Sequence, residues 1–270
     1  MTTWTDQVIE HISADYAQSV SWLYQAASPG TLRLVERLLE EDHEAQLKAR
    51  SDLGYDVDSG HLAAVLHSTA DDAEQVLRSQ AAALKQSAPG PSLAVAVDQA
   101  TVWFWAQIRG GEAAPEIAAQ PGVHVSVGRR LTGPDGFRVS HQQALDVDRL
   151  ARVTGRLGVT NYDAVQVAAL AVADIPQCRR FVTAELGRLA HPAPSAAASA
   201  TVARQTLRVF LEEGSNYRST ARRLGVHHNT VIYRLQQAEK ALGRAVGERP
   251  LALSVALHLH EEMLTAQRRE

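Results

Sequence analysis

With a single cysteine, Cys178, the 270-residue sequence cannot form an internal disulfide, and a reducing cytoplasm is its expected setting. A lone cysteine reads as a small buried hydrophobe rather than a ligand or nucleophile. No apolar run approaches the roughly 18 residues that would mark a membrane span. The opening MTTWTDQVIEHI has early acidic residues and no basic start, so it is not a secretory signal. There is no Gly-x-Ser-x-Gly elbow, and the 11 histidines are scattered without a paired-carboxylate pattern, which argues against nucleophilic catalysis. His124 and His141 accordingly read as surface or satisfied histidines. His258 and His260, with Glu261 and Glu262 beside them, do not align at i and i+4 and are expected to be solvated rather than metal ligands. No metal and no cofactor is expected. Lysine is also scarce, only Lys48, Lys85 and Lys240, a bias that reflects genome composition rather than chemistry.

What is present fits a soluble globular chain: 45% hydrophobic and 21% charged residues, enough for two or three domains with cores. Charge is unevenly spread. Residues 195–270 hold 11 Lys and Arg against 7 Asp and Glu, whereas the preceding residues hold 16 against 23. A basic end on an acidic body is the asymmetry expected of a module that approaches a polyanion.

The basic end contains NYRSTARRLGVHHNTVIYRLQQAEKA, residues 216–241, which reads as two short helices around a tight turn. Gly225 would end the first helix. Ala221 and Leu224 would face inward, and Val226 would plug the turn. On the second helix Val231, Leu235, Ala238 and Leu242 recur at spacings of four, three and four, a core stripe. Asn229, Thr230, Tyr233, Arg234 and Gln237 remain outside it, able to reach base edges and phosphates. A helix-turn-helix places such a helix in the major groove with its N-terminal residues nearest the bases. The competing reading is a helical hairpin with a solvated polar face.

These residues carry a resemblance. The Leu211, Gly214 and Asn216 lead-in, Thr220-Ala221-Arg222-Arg223-Leu224, His227-His228-Asn229-Thr230-Val231 and Tyr233-Arg234-Leu235 resemble the C-terminal helix-turn-helix of the PucR/CdaR family of bacterial transcription factors. Glu239, Leu242, Gly243 and the leucine-rich 251–259 run continue it. Where the family usually has Arg, this sequence has His228. The resemblance implies duplex DNA as partner. It assigns Asn229 and Thr230 to base edges with His227 and His228 at the helix start. Tyr233 and Arg234 fall to phosphates or an adjacent base, Gln237 is a further candidate, and Arg218, Arg222 and Arg223 fall to backbone phosphate or the module surface.

Ahead of this module, Val8, Ile9, Ile12, Tyr16, Val20 and Leu23 form a helical stripe, broken at Ser28-Pro29-Gly30. A second helix from Leu32 carries Leu34, Val35, Leu38 and Leu39. Two such helices need a partner surface, on the next domain or on a second copy of the chain. They resemble the end of a longer N-terminal helical region in relatives, so the chain reads as a short form or a late start. Between Leu53 and Asn161 the pattern predicts strand (61–67), helix (71–86), a hairpin (92–97 and 101–108), a short helix (112–120), strand (123–128) and a helix capped by Ser140. Gly133-Pro134-Asp135-Gly136 reads as a loop, and Trp103-Phe104-Trp105 as core plus one exposed ring. Leu53-Gly54-Tyr55-Asp56, Val125-Ser126-Val127-Gly128-Arg129 and Phe137-Arg138-Val139-Ser140 resemble a degenerate GGDEF domain. A cyclase needs carboxylates to hold divalent metal, and the hairpin turn here reads Asp98-Gln99-Ala100-Thr101 instead.

The expected architecture is therefore α+β and mostly helical. Residues 1–53 form a helical segment, 54–160 a ferredoxin-like, degenerate GGDEF-like sheet domain, 161–200 connecting helices and a Pro/Ala-rich spacer, and 201–270 an all-α helix-turn-helix domain. The expected function is a DNA-binding regulator, not an enzyme and with no membrane partner, acting as a homodimer or higher homo-oligomer, its central domain serving dimerisation, the sensing of a small-molecule effector, or both. A helical interaction scaffold and a cyclase-related enzyme are the alternatives, and steep salt dependence of duplex binding separates the first from the regulator.

Overall fold

The computed structural model describes residues 29–264, so the expected helix over Val8–Leu23 lies outside the described residues. The chain divides into two compact units, with the boundary between Gln166 and Val167. Each is α-containing, the first with a mixed sheet, so the α+β class read from the sequence holds.

In the first unit, α1 (Pro29–Leu39) and α2 (His43–Asp52) are joined by Glu40-Glu41-Asp42. The acidic patch has a job: Asp42 caps α2 by accepting from the amides of Glu44 and Ala45, and it also pairs with Arg37. The Ser28-Pro29-Gly30 breaker coincides with the start of α1, where proline's missing N–H is harmless. β1 (Gly60–Ser68), α3 (Ala73–Ser87), β2 (Ser92–Asp98) and β3 (Thr101–Gln107) follow. β3 pairs antiparallel with both β1 and β2, so β1 and β2 run parallel with β3 between them, a split β-α-β unit. β4 (Val123–Val127) pairs antiparallel on the other side of β1, and the two-residue β5 (Leu131–Thr132) pairs with the start of β1. After α4 (Gly133–Thr154), β6 (Gly158–Asn161) adds parallel to β4, giving the order β2-β3-β1-β4-β6.

Period-two alternation decides the layers. Leu62, Leu66, Phe104 and Val125 face α3, which contributes Leu77, Ala81 and Leu84. Ala63, Leu93, Val95 and Trp105 face the opposite way, onto Phe137 of α4 together with Val35 and Leu38 of α1 and Tyr55. The sheet of its own chain thus covers α1. All three of Trp103, Phe104 and Trp105 are core: Phe104 and Trp105 are buried and Trp103 is half-buried against His141, so no ring is exposed as expected.

Three expectations in this unit are corrected. Residues 112–120 form no helix. Pro115 sits in mid-segment and biases Ala114 away from helical geometry. The extended backbone is held by the buried Gln80 side chain, which donates to Ala118 O and accepts from Gln120 N. Second, Gly133-Pro134-Asp135-Gly136 is not a free loop but the first turn of α4, with Thr132 at the cap and proline at its N-terminal position. Third, Ser140 is therefore mid-helix rather than a cap. It is fully buried, and its hydroxyl accepts the Ala63 amide at 2.9 Å. That approach is possible because Gly128, at the end of β4, has no side chain between the strand and α4.

The second unit holds α5 (Tyr162–Ala171, entered from the first unit), α6 (Ile175–Leu186), α7 (Ala197–Glu212), α8 (Tyr217–Leu224), α9 (His228–Leu242) and α10 (Pro250–Leu264), with short 3₁₀ turns between α5 and α6, α6 and α7, and α9 and α10. Cys178 is buried against Met263, its thiol pushed up by desolvation, in keeping with a packing role. His260 corrects another expectation. It is buried, and its ring nitrogen meets Ala190 O at 3.1 Å, because it follows the inward stripe of Leu253, Ala256 and Leu257.

Candidate nucleic-acid interface

The turn between α8 and α9 is built from local chemistry. Asn216 caps α8 by accepting from the amides of Arg218 and Ser219, and Thr220 is locked below it by donating to Asn216 O at 2.7 Å. Gly225 ends α8 in the left-handed region at φ 64°, where a side chain would be strained. His227 caps α9, its Nδ1 accepting the Asn229 amide at 3.3 Å, and its ring lies 4.4 Å from that of His228. Val231, Leu235 and Ala238 are buried as the stripe required, while Leu242 is half-buried.

The helical advance of about 100° per residue sorts the remaining side chains of α9. Asn229, Tyr233, Gln236 and Lys240 lie opposite the core stripe and are exposed, Tyr233 at 61%. Gln236 and Lys240 were not singled out in the sequence, although the same periodicity would have found them. Thr230, Arg234 and Gln237 lie on one flank. They face a groove of about 1050 Å³ whose other wall is formed by residues between Arg188 and Ala203. His228 and Ile232 lie on the other flank, beside a smaller recess bounded by Ser215, Asn216, Tyr217 and Arg218.

The α8 arginines separate. Arg223 bridges Glu212 at 2.6 Å and Glu213 at 3.0 Å, and these carboxylates raise its pKa, so its charge is spent tying α8 to the end of α7. Arg218 and Arg222 are exposed and, among the described residues, make no ion pair; Arg234 is half-buried and likewise unpaired. The C-terminus of α9 is fixed from behind. Glu185, 3% exposed in its side chain, pairs with Arg244 and Arg249, both at 2.7 Å, and Gly187 lets the chain pass close to Ala241 O. Removing one partner of a buried pair strands the other. Glu185→Ala is expected to destabilise the second unit by roughly 3 kcal/mol, read as a lower urea midpoint. An unchanged midpoint would show that solvent already satisfies both guanidinium groups.

The first unit offers two other places. A recess of about 540 Å³ lies at the ends of β4 and β6, bordered by Leu62, Arg129, Arg130, Asn161 and Tyr162. Both arginines are occupied: Arg129 pairs with Asp163 and stacks on Tyr162, and Arg130 donates to the carbonyls of Glu112 and Arg109. Between the sheet and α4 lies a buried polar cluster. His67 and His124 are cross-strand partners, and His141 packs against Trp103 and Trp105. Among the described residues, neither ring nitrogen of His124 or His141 finds a hydrogen-bond partner. Desolvation is the first cause in each case, lowering His124 to about 4 and His141 to about 3. They are thus not the surface or satisfied histidines expected; cross-strand register, invisible to local pattern, put them inside. At the β2–β3 turn Asp98 accepts the Ala100 amide, so its carboxylate serves the turn. Among the described residues, no group of three or more His, Cys, Asp or Glu could hold a metal ion, and no helix is long and apolar enough to cross a membrane.

Comparison with known proteins places both modules. Residues 203–260 match the PucR C-terminal helix-turn-helix domain, and residues 36–150 match the GGDEF-like domain. Over 59 residues, 22% of this chain, the sequence is 41% identical to the purine catabolism regulatory protein of Bacillus subtilis (strain 168), and the matched stretch is 11% of that protein. The chain thus spans about a tenth of the curated relative it matches. Among solved structures, the regulator of polyketide synthase expression from Bifidobacterium adolescentis is similar over 84% of this chain and 96% of that one, at 17% identity and a TM-score of 0.39. The chain thus carries a stretch that matches a GGDEF-like domain followed by one that matches a PucR-type helix-turn-helix.

Proposed function

We propose that the chain is a cytoplasmic transcriptional regulator that reads duplex DNA with α9 in the major groove. The observation that carries this reading is the outward face of α9: a row of polar side chains, unpaired among the described residues, on a helix whose opposite stripe is buried and whose N-terminus is set by the capped turn. Asn229 and Tyr233, first along that face, are assigned to base edges together with Thr230 on the flank. Arg234 and Gln237 reach an adjacent base or phosphate. Arg218 and Arg222 take phosphates, whereas Arg223 holds α8 in place. His227 presents α9 by capping it, and His228 stands at its side.

A homodimer would offer two such helices to half-sites one helical turn apart, giving a two-fold symmetric operator. The GGDEF-like unit would set their separation, and an effector bound there acts only if it binds the two arrangements unequally. The relative's printed name, a purine catabolism regulatory protein, is consistent with metabolic control.

The test is selection of random genomic duplex fragments by the purified chain at two salt concentrations. The expected result is an enriched two-fold motif, bound more weakly at higher salt and lost in Asn229→Ala/Arg234→Ala. Wild-type enrichment by that double variant would remove α9 from the interface. Absence of enrichment at both salts, from folded protein, would move the module to the protein-interaction reading.

A further inference from the structure

More than half of the residues lining the groove beside α9 come from outside the matched helix-turn-helix. Its basic lining residues are Arg188, His191, Arg234 and Lys240, and no carboxylate borders it. The floor and far wall are small and apolar, including Leu189, Pro192, Ala196 and Ala200. Arg188 is exposed and, among the described residues, has neither ion pair nor hydrogen bond, unlike Arg204, which reaches back to Leu189 O. A surface of one charge sign with an apolar floor suits a ligand of alternating character: anionic groups separated by carbon-rich rings. The sugar–phosphate strand of a duplex has that character, and α9, the other wall, is the element assigned to the same duplex.

We infer that this groove seats one deoxyribose–phosphate strand beside the major groove entered by α9, with Arg188 as a phosphate contact supplied from ahead of residues 203–260. The inference rests on the DNA-binding reading and extends it. The backbone sugars pack on the apolar wall, Arg188 and Lys240 meet phosphates from opposite sides, and the 188–203 segment acts as a second jaw. Such a contact adds affinity without adding sequence preference.

The test is equilibrium binding of the full chain to its selected operator and to a scrambled duplex, across a salt series. Each phosphate contact contributes about −0.9 to the slope of log affinity against log salt. Arg188→Gln is expected to reduce the magnitude of the slope by about one unit on both duplexes, weaken both several-fold, and leave the ratio between them unchanged; Arg188→Lys restores most of the slope. Arg180→Gln removes the same charge from α6, outside the groove, and should leave slope and affinity as in the wild type. Arg188→Gln with wild-type slope and affinity, while Asn229→Ala/Arg234→Ala still loses the operator, overturns the second jaw and spares the reading of α9. A change in the operator-to-scrambled ratio overturns it too, since a backbone contact cannot choose between sequences. Wild-type protein that binds neither duplex removes both.

Discussion

Gly128→Ala is expected to unfold the first unit, or to lower its stability by at least about 3 kcal/mol. A β-carbon at this position would overlap the carbonyl oxygen of Ser140 and stand 2.8 Å from its carbonyl carbon and 2.9 Å from its hydroxyl oxygen. The first two are backbone, so no rotamer change relieves the clash. The contact can open only if α4 lifts from the sheet or Gly128 leaves β1; the Ala63 amide on the Ser140 hydroxyl opposes the first and the Gly128 amide on Ala63 O the second, each at 2.9 Å. The expected readout is a thermal melt in which the sheet transition is lost or strongly lowered while the helical transition of the second unit persists. A melt matching the wild type would mean that the strand and helix stand farther apart than the structure has them.

The second large effect is acid lability of the same unit. His124 and His141 have native pKa values near 4 and 3, below an ordinary histidine near 6.5, because burial disfavours their charged forms. The unfolded chain therefore binds more protons between those values, and stability rises with pH there. Above about pH 6.5 both rings are neutral in either state and nothing is lost. As pH falls from 6.5 toward 4, each ring removes about 1.4 kcal/mol per pH unit, so the pair removes on the order of 4 kcal/mol by pH 5. The charged groups act on the His124 side, where Arg152 and Asp148 in turn face His67. Arg156 and His67 push His124 down, and Asp148 offers His67 only a 4.0 Å approach. Fluorescence of Trp103 and Trp105, which contact His141, should report a cooperative acid transition near pH 5. In His124→Gln/His141→Phe that transition should move about one pH unit lower. A wild-type unit still folded at pH 3.5 would show that these rings accept protons in place.

Local rules carried most of the helix-turn-helix. Gly225 and the Val231–Leu235–Ala238 stripe depend on neighbours within a few residues, and each sits where the sequence placed it. Misreadings arose where one residue serves two grammars. Pro134 marks a break when read alone, yet it is a favourable first-turn residue of α4, and this displaced the helix start to Ser140. Residues 112–120 have helical composition, but Gln80, about forty positions earlier, supplies their hydrogen bonds instead. β6, four residues long, is too short for a periodicity to register and exists because β4 offers it an edge. The polar face of α9 was readable, but the wall opposite it was not. Arg188 and Thr230 become neighbours across a groove only through the packing of α6, α7 and α9, so the sequence marked one side of that site and left the other silent.

The antiparallel ladder between β1 and β4 has a consequence in time. Ser68 pairs with Val123, and Ala64 with Val127, so the central strand waits for a partner made at least 55 residues later. At about 5–20 residues per second, the ribosome leaves that edge unpaired for roughly three to ten seconds. During that interval LAAVL, the buried middle of the central strand, stands beside only the hairpin strand β3 once that has emerged. The α8–α9 turn needs no such distant partner, because Asn216, Gly225 and His227 set it from within a few residues. That turn is therefore equipped to form as it emerges, and the sheet synthesised before it is where a chaperone would find something to hold.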